Sequence, residues 1–188
     1  REGVALEPKT GVVYMSEDHP QGCVYRHVPE ASDAPFGAGR VQAMALAETS
    51  DTTRGVREGQ QWKVSWVDVA DPRAVSRPCR EQAVMKGATR FSRTEGIDWG
   101  AGELWFVCTT GGPVGAGQVF RYTDATETLT LVAQVSDRSV LSMPDNCLLA
   151  PWGDLLMTED NYNGEGGCDG QYFRLLTRKG AIVDVARN

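Results

Sequence analysis

One sequence pattern occurs three times in this chain of 188 residues. Each copy has an acidic residue, a short apolar strand, a turn that contains glycine and a second apolar strand. The copies read EGVALEPKTGVVYMSED from Glu2, EGIDWGAGELWFVCTTGG from Glu95 and DNCLLAPWGDLLMTED from Asp145. Internal repetition constrains the fold strongly, because every copy has to form the same supersecondary unit.

Two further strand-like segments follow each copy. The third segments are GCVYRH, GQVFRY and GQYFRL, and the fourth are AGRVQAMALAE, ETLTLVAQV and GAIVDVARN. Glycine, proline, asparagine and aspartate separate these segments, as expected of tight turns. A repeat unit of four strands predicts an all-β fold, a β-propeller built of four-stranded antiparallel blades.

The repeat also predicts how the chain is divided. We expect a single partial propeller domain over residues 1–188, with blades at roughly 1–50, 95–140 and 141–188. Residues 51–94 form an irregular blade or an insert, in which we predict a strand over 62–69 and a short helix within 76–86. Propellers have about four to eight blades. Three to four blades do not close a ring, so we expect the sequence to be an internal part of a longer propeller.

Composition excludes several classes of partner. The net charge is -6 and the sequence pI is near 5.0, with no clustered basic face for nucleic acid. No apolar run reaches the ~20 residues that a membrane-spanning helix needs. The five cysteines have no CxxC spacing, which argues against a zinc finger. Two of them, Cys108 and Cys147, lie in apolar strands, a context typical of buried thiols.

The repeat predicts that distant acids meet in space. The innermost strand of each propeller blade lies beside the central axis, so repeat-equivalent residues converge there. Glu2, Glu95 and Asp145 occupy one repeat position, and Glu17 and Glu159 occupy a second. Asn146 is a weaker candidate, because its amide oxygen can either bind a metal or close a turn. Clustered carboxylates repel one another unless cations lie among them, and such oxygen ligands suit hard cations.

A single acid at a strand end is more often a turn or surface residue than a ligand. Recurrence at one place in the blade favours the metal site. Arg93 is the basic residue best placed to bind an anionic substrate, together with Arg1 and Arg90, because its planar fork matches two oxygens. The sequence has no nucleophile elbow and no phosphate-binding glycine loop before a helix.

Several motifs in their order along the chain resemble the PhoX-type alkaline phosphatases. These motifs are TRFSRTEG, TTGG, MPDN and TED, and the resemblance covers nearly the whole sequence. It implies a six-bladed propeller exported by the twin-arginine route, and therefore a periplasmic or secreted protein. It also implies hydrolysis of small phosphomonoesters at a cluster of calcium and ferric iron (Fe³⁺). No oligomeric state follows from it.

The residues that match the family's motifs are the acids already singled out by the repeat. They are Glu2 in REG, Glu17 in SED, Glu95 in TEG, Glu159 in TED, and Asp145 and Asn146 in PDN. The family also has a cysteine metal ligand, and none of the five cysteines here matches it. The resemblance assigns Arg93 as a candidate catalytic residue that clamps phosphate oxygens.

Two other functions fit a propeller with axial acids. One is a non-catalytic propeller that binds a carbohydrate or a protein, since a fold alone does not determine function. The other is a calcium-dependent lactonase or esterase with a single central metal. Five convergent acids favour the phosphatase, whereas a single bound calcium would favour the lactonase.

Overall fold

The computed structural model describes residues 2–161 and 170–187. In these residues the secondary structure is almost entirely β. The strands are β1 (Val4–Leu6), β2 (Val13–Met15), β3 (Tyr25–Pro29), β4 (Gly39–Leu46), β5 (Gln61–Asp68), β6 (Thr94–Gly100), β7 (Glu103–Cys108), β8 (Gln118–Thr123), β9 (Thr128–Gln134), β10 (Pro144–Leu149), β11 (Leu155–Glu159), β12 (Tyr172–Leu176) and β13 (Ile182–Arg187). A short helix, α1 (Cys79–Val84), and a single 3₁₀ turn at Asp124–Thr126 complete the described structure.

The strands form three antiparallel units of four. The first blade is β1 to β4, the second is β6 to β9 and the third is β10 to β13, each strand paired with the next. This confirms the predicted all-β fold of four-stranded antiparallel blades. The first two blades share an outer strand, since β5 pairs with β4 along one half and with β9 along the other.

The innermost strands β1, β6 and β10 lie side by side and approach closely at two glycines. A β-carbon on Gly96 would clash with the backbone of Asn146 and Cys147, and one on Gly3 would lie 2.7 Å from a methyl carbon of Ile97. Glycine therefore follows the acid in the first two repeats because the neighbouring inner strand leaves no room for a side chain. This contact brings the acids of successive blades together.

Apolar side chains fill the spaces between blades. Between the first and second blades, Tyr14 stacks on Trp99 with ring centroids 5.4 Å apart. Between the second and third blades, Trp105 and Val107 pack in one cluster with Leu155 and Met157. Alternating strand residues thus pack blade against blade, and the polar ends of the inner strands are left at the axis.

The predictions for residues 51–94 are also confirmed. Strand β5 lies in the predicted strand region, and α1 lies within the predicted helical segment. Cys108 and Cys147 are buried thiols, and burial raises the pKa of both. Cys168 lies outside the described residues. In the part of the chain that the structure describes, no helix has the length and apolar character needed to cross a membrane.

Candidate functional site

The site is built around the start of strand β6, where Arg93 has a left-handed backbone conformation with φ of 56°. Its amide donates a hydrogen bond to the carbonyl of His19 at 2.9 Å, and its carbonyl accepts one from the Thr109 amide at 2.9 Å. Met143, just before β10, has φ of 55°, and its carbonyl accepts a bond from the Asp160 amide. A residue in the left-handed conformation thus directly precedes both β6 and β10, and it changes the direction of the chain where each inner strand begins.

Carboxylates on both sides hold the guanidinium of Arg93. Its Nε and Nη2 donate to the two oxygens of Asp18 at 2.7 and 3.0 Å, and Nη2 also donates to Glu95 at 3.0 Å. The Arg93 side chain is 25% exposed. A paired fork of this kind fixes the plane of the guanidinium while part of the side chain still faces solvent.

The Glu95 carboxyl is buried and has other acids near it, and both features raise its pKa. Its side chain is 5% exposed. Burial, followed by the charges of Asp18 and Asp145, raises its pKa to about 8, and Arg93 opposes this increase. For Asp18 the hydrogen bond from Arg93 lowers the pKa. One acid is thus stabilised as an anion while its neighbour resists ionisation.

The Asp145 carboxyl belongs to the same group of charges. Burial raises its pKa, and the charges of Asp160 and Glu2 raise it further, with Arg93 acting in the opposite direction. We call these five acids the axial acid cluster: Glu2, Asp18, Glu95, Asp145 and Asp160. Three of them, Glu2, Glu95 and Asp145, are the ones that the repeat placed in a single ring; the charge of Asp145 acts on Glu95, and the charge of Glu2 acts on Asp145.

Sequence reasoning missed Asp18 and Asp160. Each directly follows a predicted ligand, in the motifs SED and TED, so the recurring acid pair was the available signal. Successive side chains of an extended segment point to opposite sides. Asp18 and Asp160 are exposed and face the cluster, whereas Glu17 and Glu159 are buried in their blades.

The Glu17 carboxylate accepts hydrogen bonds from its own blade. Its Oε2 accepts the Tyr25 hydroxyl at 2.6 Å and the Cys23 amide at 3.2 Å. Its Oε1 lies 3.7 Å from a guanidinium nitrogen of Arg80. These contacts give Glu17 a role in holding the end of β2 against β3, and its role as a metal ligand stays a prediction.

The Glu159 carboxylate likewise accepts hydrogen bonds from groups of its own blade, the third. The Glu159 Oε1 accepts the Ser142 amide at 2.8 Å and the Arg174 Nε at 2.9 Å, and Oε2 accepts the Tyr172 amide at 3.2 Å. Arg174 and Glu159 are a buried ion pair, with side chains 3% and 0% exposed. Burial raises the pKa of Glu159, and these hydrogen bonds counteract the increase. Metal binding by Glu159 also stays a prediction.

The three remaining predicted residues are Asn146, Arg1 and Arg90. The exposed Asn146 lies within strand β10 at a register shift, and its Oδ1 accepts a hydrogen bond from the adjacent Cys147 amide at 2.9 Å; metal binding by Asn146 stays a prediction. Arg1 lies outside the described residues. Arg90 is partly exposed, and it lines a cleft together with His19.

The donor atoms of the axial acid cluster suit a hard cation, because all of them are carboxylate oxygens. The raised pKa values of Glu95 and Asp145 also fit, since a cation relieves the repulsion that raises them. Across residues 2–161 and 170–187, however, no three His, Cys, Asp or Glu side chains come close enough to enclose an ion. The ligand atoms and the charge of the cluster therefore suit a metal ion, but the described side chains do not enclose one.

Four-stranded antiparallel blades packed side by side define a β-propeller, and acids and a clamped arginine lie near the ends of its inner strands. The chain belongs to the family described as alkaline phosphatase PhoX, whose family model matches residues 1–188.

A solved structure shares this fold. Pseudomonas fluorescens PhoX in complex with vanadate, a transition state analogue, superimposes with a TM-score of 0.73 at 18% sequence identity. The match covers 97% of this chain and 43% of that chain, so the sequence spans less than half the length of this relative. It confirms the predicted propeller fold. No curated protein matches the sequence.

Proposed function

We propose that the protein containing this chain is a metal-dependent phosphomonoester hydrolase that acts at the axial acid cluster. The observation that carries the proposal is the clamping of Arg93 by Asp18 and Glu95 inside a group of five carboxylates. A cationic fork among hard oxygen ligands is the combination that a phosphoryl group bound beside metal ions requires. Membership of the alkaline phosphatase PhoX family supports this assignment.

Arg93 is the residue that binds the phosphoryl group in this proposal. Its guanidinium is already oriented by Asp18, so little ordering is lost when a phosphate oxygen joins it. Positive charge fixed in this position stabilises the negative charge that builds up in the transition state. Arg93 therefore complements the charge of the substrate, and Asp18 and Glu95 hold its guanidinium in position.

Glu95 and Asp145 are the residues that we propose as metal ligands from the described cluster, with Glu2, Asp18 and Asp160 around them. Further ligands come from parts of the protein outside the described residues, because three described side chains do not enclose an ion. Bound calcium and ferric iron would supply Lewis acidity toward the phosphoryl oxygens and an acidified water. Glu17, Asn146 and Glu159 remain candidates for the same metals.

The substrate class follows from the same chemistry. We propose small phosphomonoesters, and we propose export to the periplasm or the medium, as the resemblance to PhoX-type enzymes implied. Calcium is abundant outside the cell, which fits a cluster of carboxylates that does not fully enclose an ion.

The test is p-nitrophenyl phosphate hydrolysis by the full-length protein, with and without a chelator, together with elemental analysis. We expect turnover that the chelator abolishes and that added calcium and iron restore. Arg93→Met should lower kcat/KM at least about 100-fold, a typical loss for removing one charge-stabilising group. Arg57→Met, in an exposed turn with no side-chain partner among the described residues, is the matched control.

Two results would replace the proposal with another. Lactone hydrolysis with a single bound calcium and no phosphatase activity would favour a lactonase. Metal-independent binding of a polysaccharide or protein, without turnover of either substrate, would favour a non-catalytic propeller.

A further inference from the structure

A second cleft, of about 320 Å³, opens beside the axial acid cluster. Helix α1 and the segment that follows it form one wall, and the turn after β2 forms the other. The residues that matter here are His19, Arg77, Arg80, Glu81, Met85 and Arg90.

The cleft is positively charged in a chain whose net charge is -6. Three guanidinium groups line it, from Arg77, Arg80 and Arg90, and Glu81 is the acid among its lining residues. An accumulation of arginines in a concave site repels itself unless an anion lies between them. The charge of this cleft is therefore opposite to that of the neighbouring acid cluster.

Two of the three arginines, Arg77 and Arg90, have no carboxylate partner among the described residues, and Arg80 has a long ion pair. Arg80 lies 3.7 Å from Glu17, too long for a close hydrogen bond, and Arg77 contacts the sulfur of Met85. Arg90 makes no side-chain hydrogen bond or ion pair with the described residues, although its backbone amide and carbonyl are both bonded. A structural arginine normally has a carboxylate or carbonyl partner, as Arg174 does in the third blade.

His19 adds a neutral donor to the cleft. Its Nδ1 accepts a hydrogen bond from the Gln21 amide at 3.0 Å, which places the proton of the neutral ring on Nε2. The partly exposed ring can therefore donate from Nε2.

The cleft and the acid cluster are joined through adjacent residues. His19 directly follows Asp18, the partner of Arg93, and the His19 carbonyl accepts the Arg93 amide. The lining of the cleft therefore begins one residue away from the partner of Arg93.

We propose that this cleft binds a second phosphate group, on the alcohol part of the substrate, so that the enzyme prefers phosphomonoesters that carry two phosphates. This inference rests on the proposed phosphatase function. Guanidinium groups match phosphate oxygens in a planar, two-pronged manner, and the three arginines with His19 provide more donors than one phosphate needs. The volume of the cleft exceeds that of a phosphate, which leaves space for the carbon chain that connects the two groups.

The test compares two substrates on the full-length metal-loaded protein: fructose 1,6-bisphosphate and p-nitrophenyl phosphate. We expect Arg90→Gln and Arg77→Gln each to lower the ratio of their kcat/KM values about tenfold, as the loss of one charge-assisted contact does. Arg57→Gln should leave the ratio unchanged. High salt should also lower the ratio for the wild type, because salt screens the attraction between the second phosphate and the arginines of the cleft.

The outcomes separate this inference from the proposed function. An unchanged ratio in both variants, with normal p-nitrophenyl phosphate turnover, would overturn the cleft and leave the phosphatase standing. Equal losses on both substrates would also overturn it, since they indicate a purely structural role. If wild type hydrolyses neither substrate, the phosphatase fails, and calorimetric binding of propane-1,3-bisphosphonate then decides the cleft: weaker binding by Arg90→Gln supports it, and identical binding rejects it.

Discussion

Arg93 donates two hydrogen bonds to Asp18 across the junction of the first and second blades, from residues 75 positions apart in the sequence. The pair joins the end of β2 to the start of β6 and holds the guanidinium beside Glu95. Asp18 is thus a positioning residue for Arg93, and neither the repeat nor the family resemblance singled it out.

Replacing Asp18 tests this positioning role. Asp18→Asn removes the charge and one of the two acceptor oxygens, so Arg93 loses its fixed plane while it keeps its bond to Glu95. We expect kcat/KM on p-nitrophenyl phosphate to fall about tenfold in the full-length protein, less than for Arg93→Met. The double variant should be no worse than Arg93→Met alone, because Asp18 acts through Arg93. Additive losses in the double variant would show that Asp18 acts independently of Arg93.

The close approach of β6 and β10 gives a second prediction. Gly96→Ala places a β-carbon against the backbone of Asn146 and Cys147, which cannot move aside as a side-chain tip can. We expect a loss of about 1–3 kcal/mol in the free energy of unfolding, measured by denaturant titration. Gly100→Ala, in the same strand, meets only the end of the Leu149 side chain and is the control. Equal losses in both variants would contradict the close packing of the inner strands.

The buried ion pair of the third blade gives a third prediction. Arg174→Met leaves Glu159 as an unpaired buried carboxyl, which typically costs about 3–5 kcal/mol. The equivalent residue of the second blade, Arg121, is 36% exposed and lies 3.5 Å from Glu103, so Arg121→Met should cost less than about 1 kcal/mol. Urea denaturation measures both losses.

A substitution of Glu159 itself tests its role as a metal ligand. If Glu159 is held by Arg174 for structure alone, Glu159→Gln lowers stability and leaves the metal content of the full-length protein unchanged. A lower metal content in Glu159→Gln, measured by elemental analysis at a temperature where the protein is folded, would establish it as a ligand.

The repeat predicts the four-stranded blades, which the structure shows, and the convergence of Glu2, Glu95 and Asp145 at one metal site, which stays a prediction. Both follow from translating one strand pattern around an axis, which requires no knowledge of individual contacts. The direction of a side chain at a strand end is harder to predict, because a shift of one residue reverses it. For this reason the sequence did not single out Asp18 and Asp160, the exposed acids that directly follow the predicted ligands Glu17 and Glu159.

The cleft beside the cluster was beyond sequence reasoning for a different reason. Arg77, Arg80 and Arg90 lie in the irregular segment between the first two blades, where no repeat position determines their neighbours. Their approach to His19 depends on how α1 packs, a long-range contact that local pattern does not specify. Arg90 was noted for its charge, and its partners could not be inferred.

The crowding of Glu95 gives a pH prediction for the metal-depleted protein. The ordinary pKa of this carboxyl is 4.5, and the fold raises it to about 8. Between these values the native state keeps a proton that the unfolded chain has lost, so stability should fall as the pH rises from about 4.5 to 8. Thermal unfolding midpoints across this range measure the slope. Glu95→Gln, which cannot ionise, should flatten it, and Glu30→Gln, at an exposed turn, should not. Added calcium should also reduce the slope, because a cation favours the ionised form. If Glu95→Gln shows the same slope as the wild type, other groups cause the pH dependence. That result would contradict the conclusion that neighbouring acids raise the pKa of Glu95.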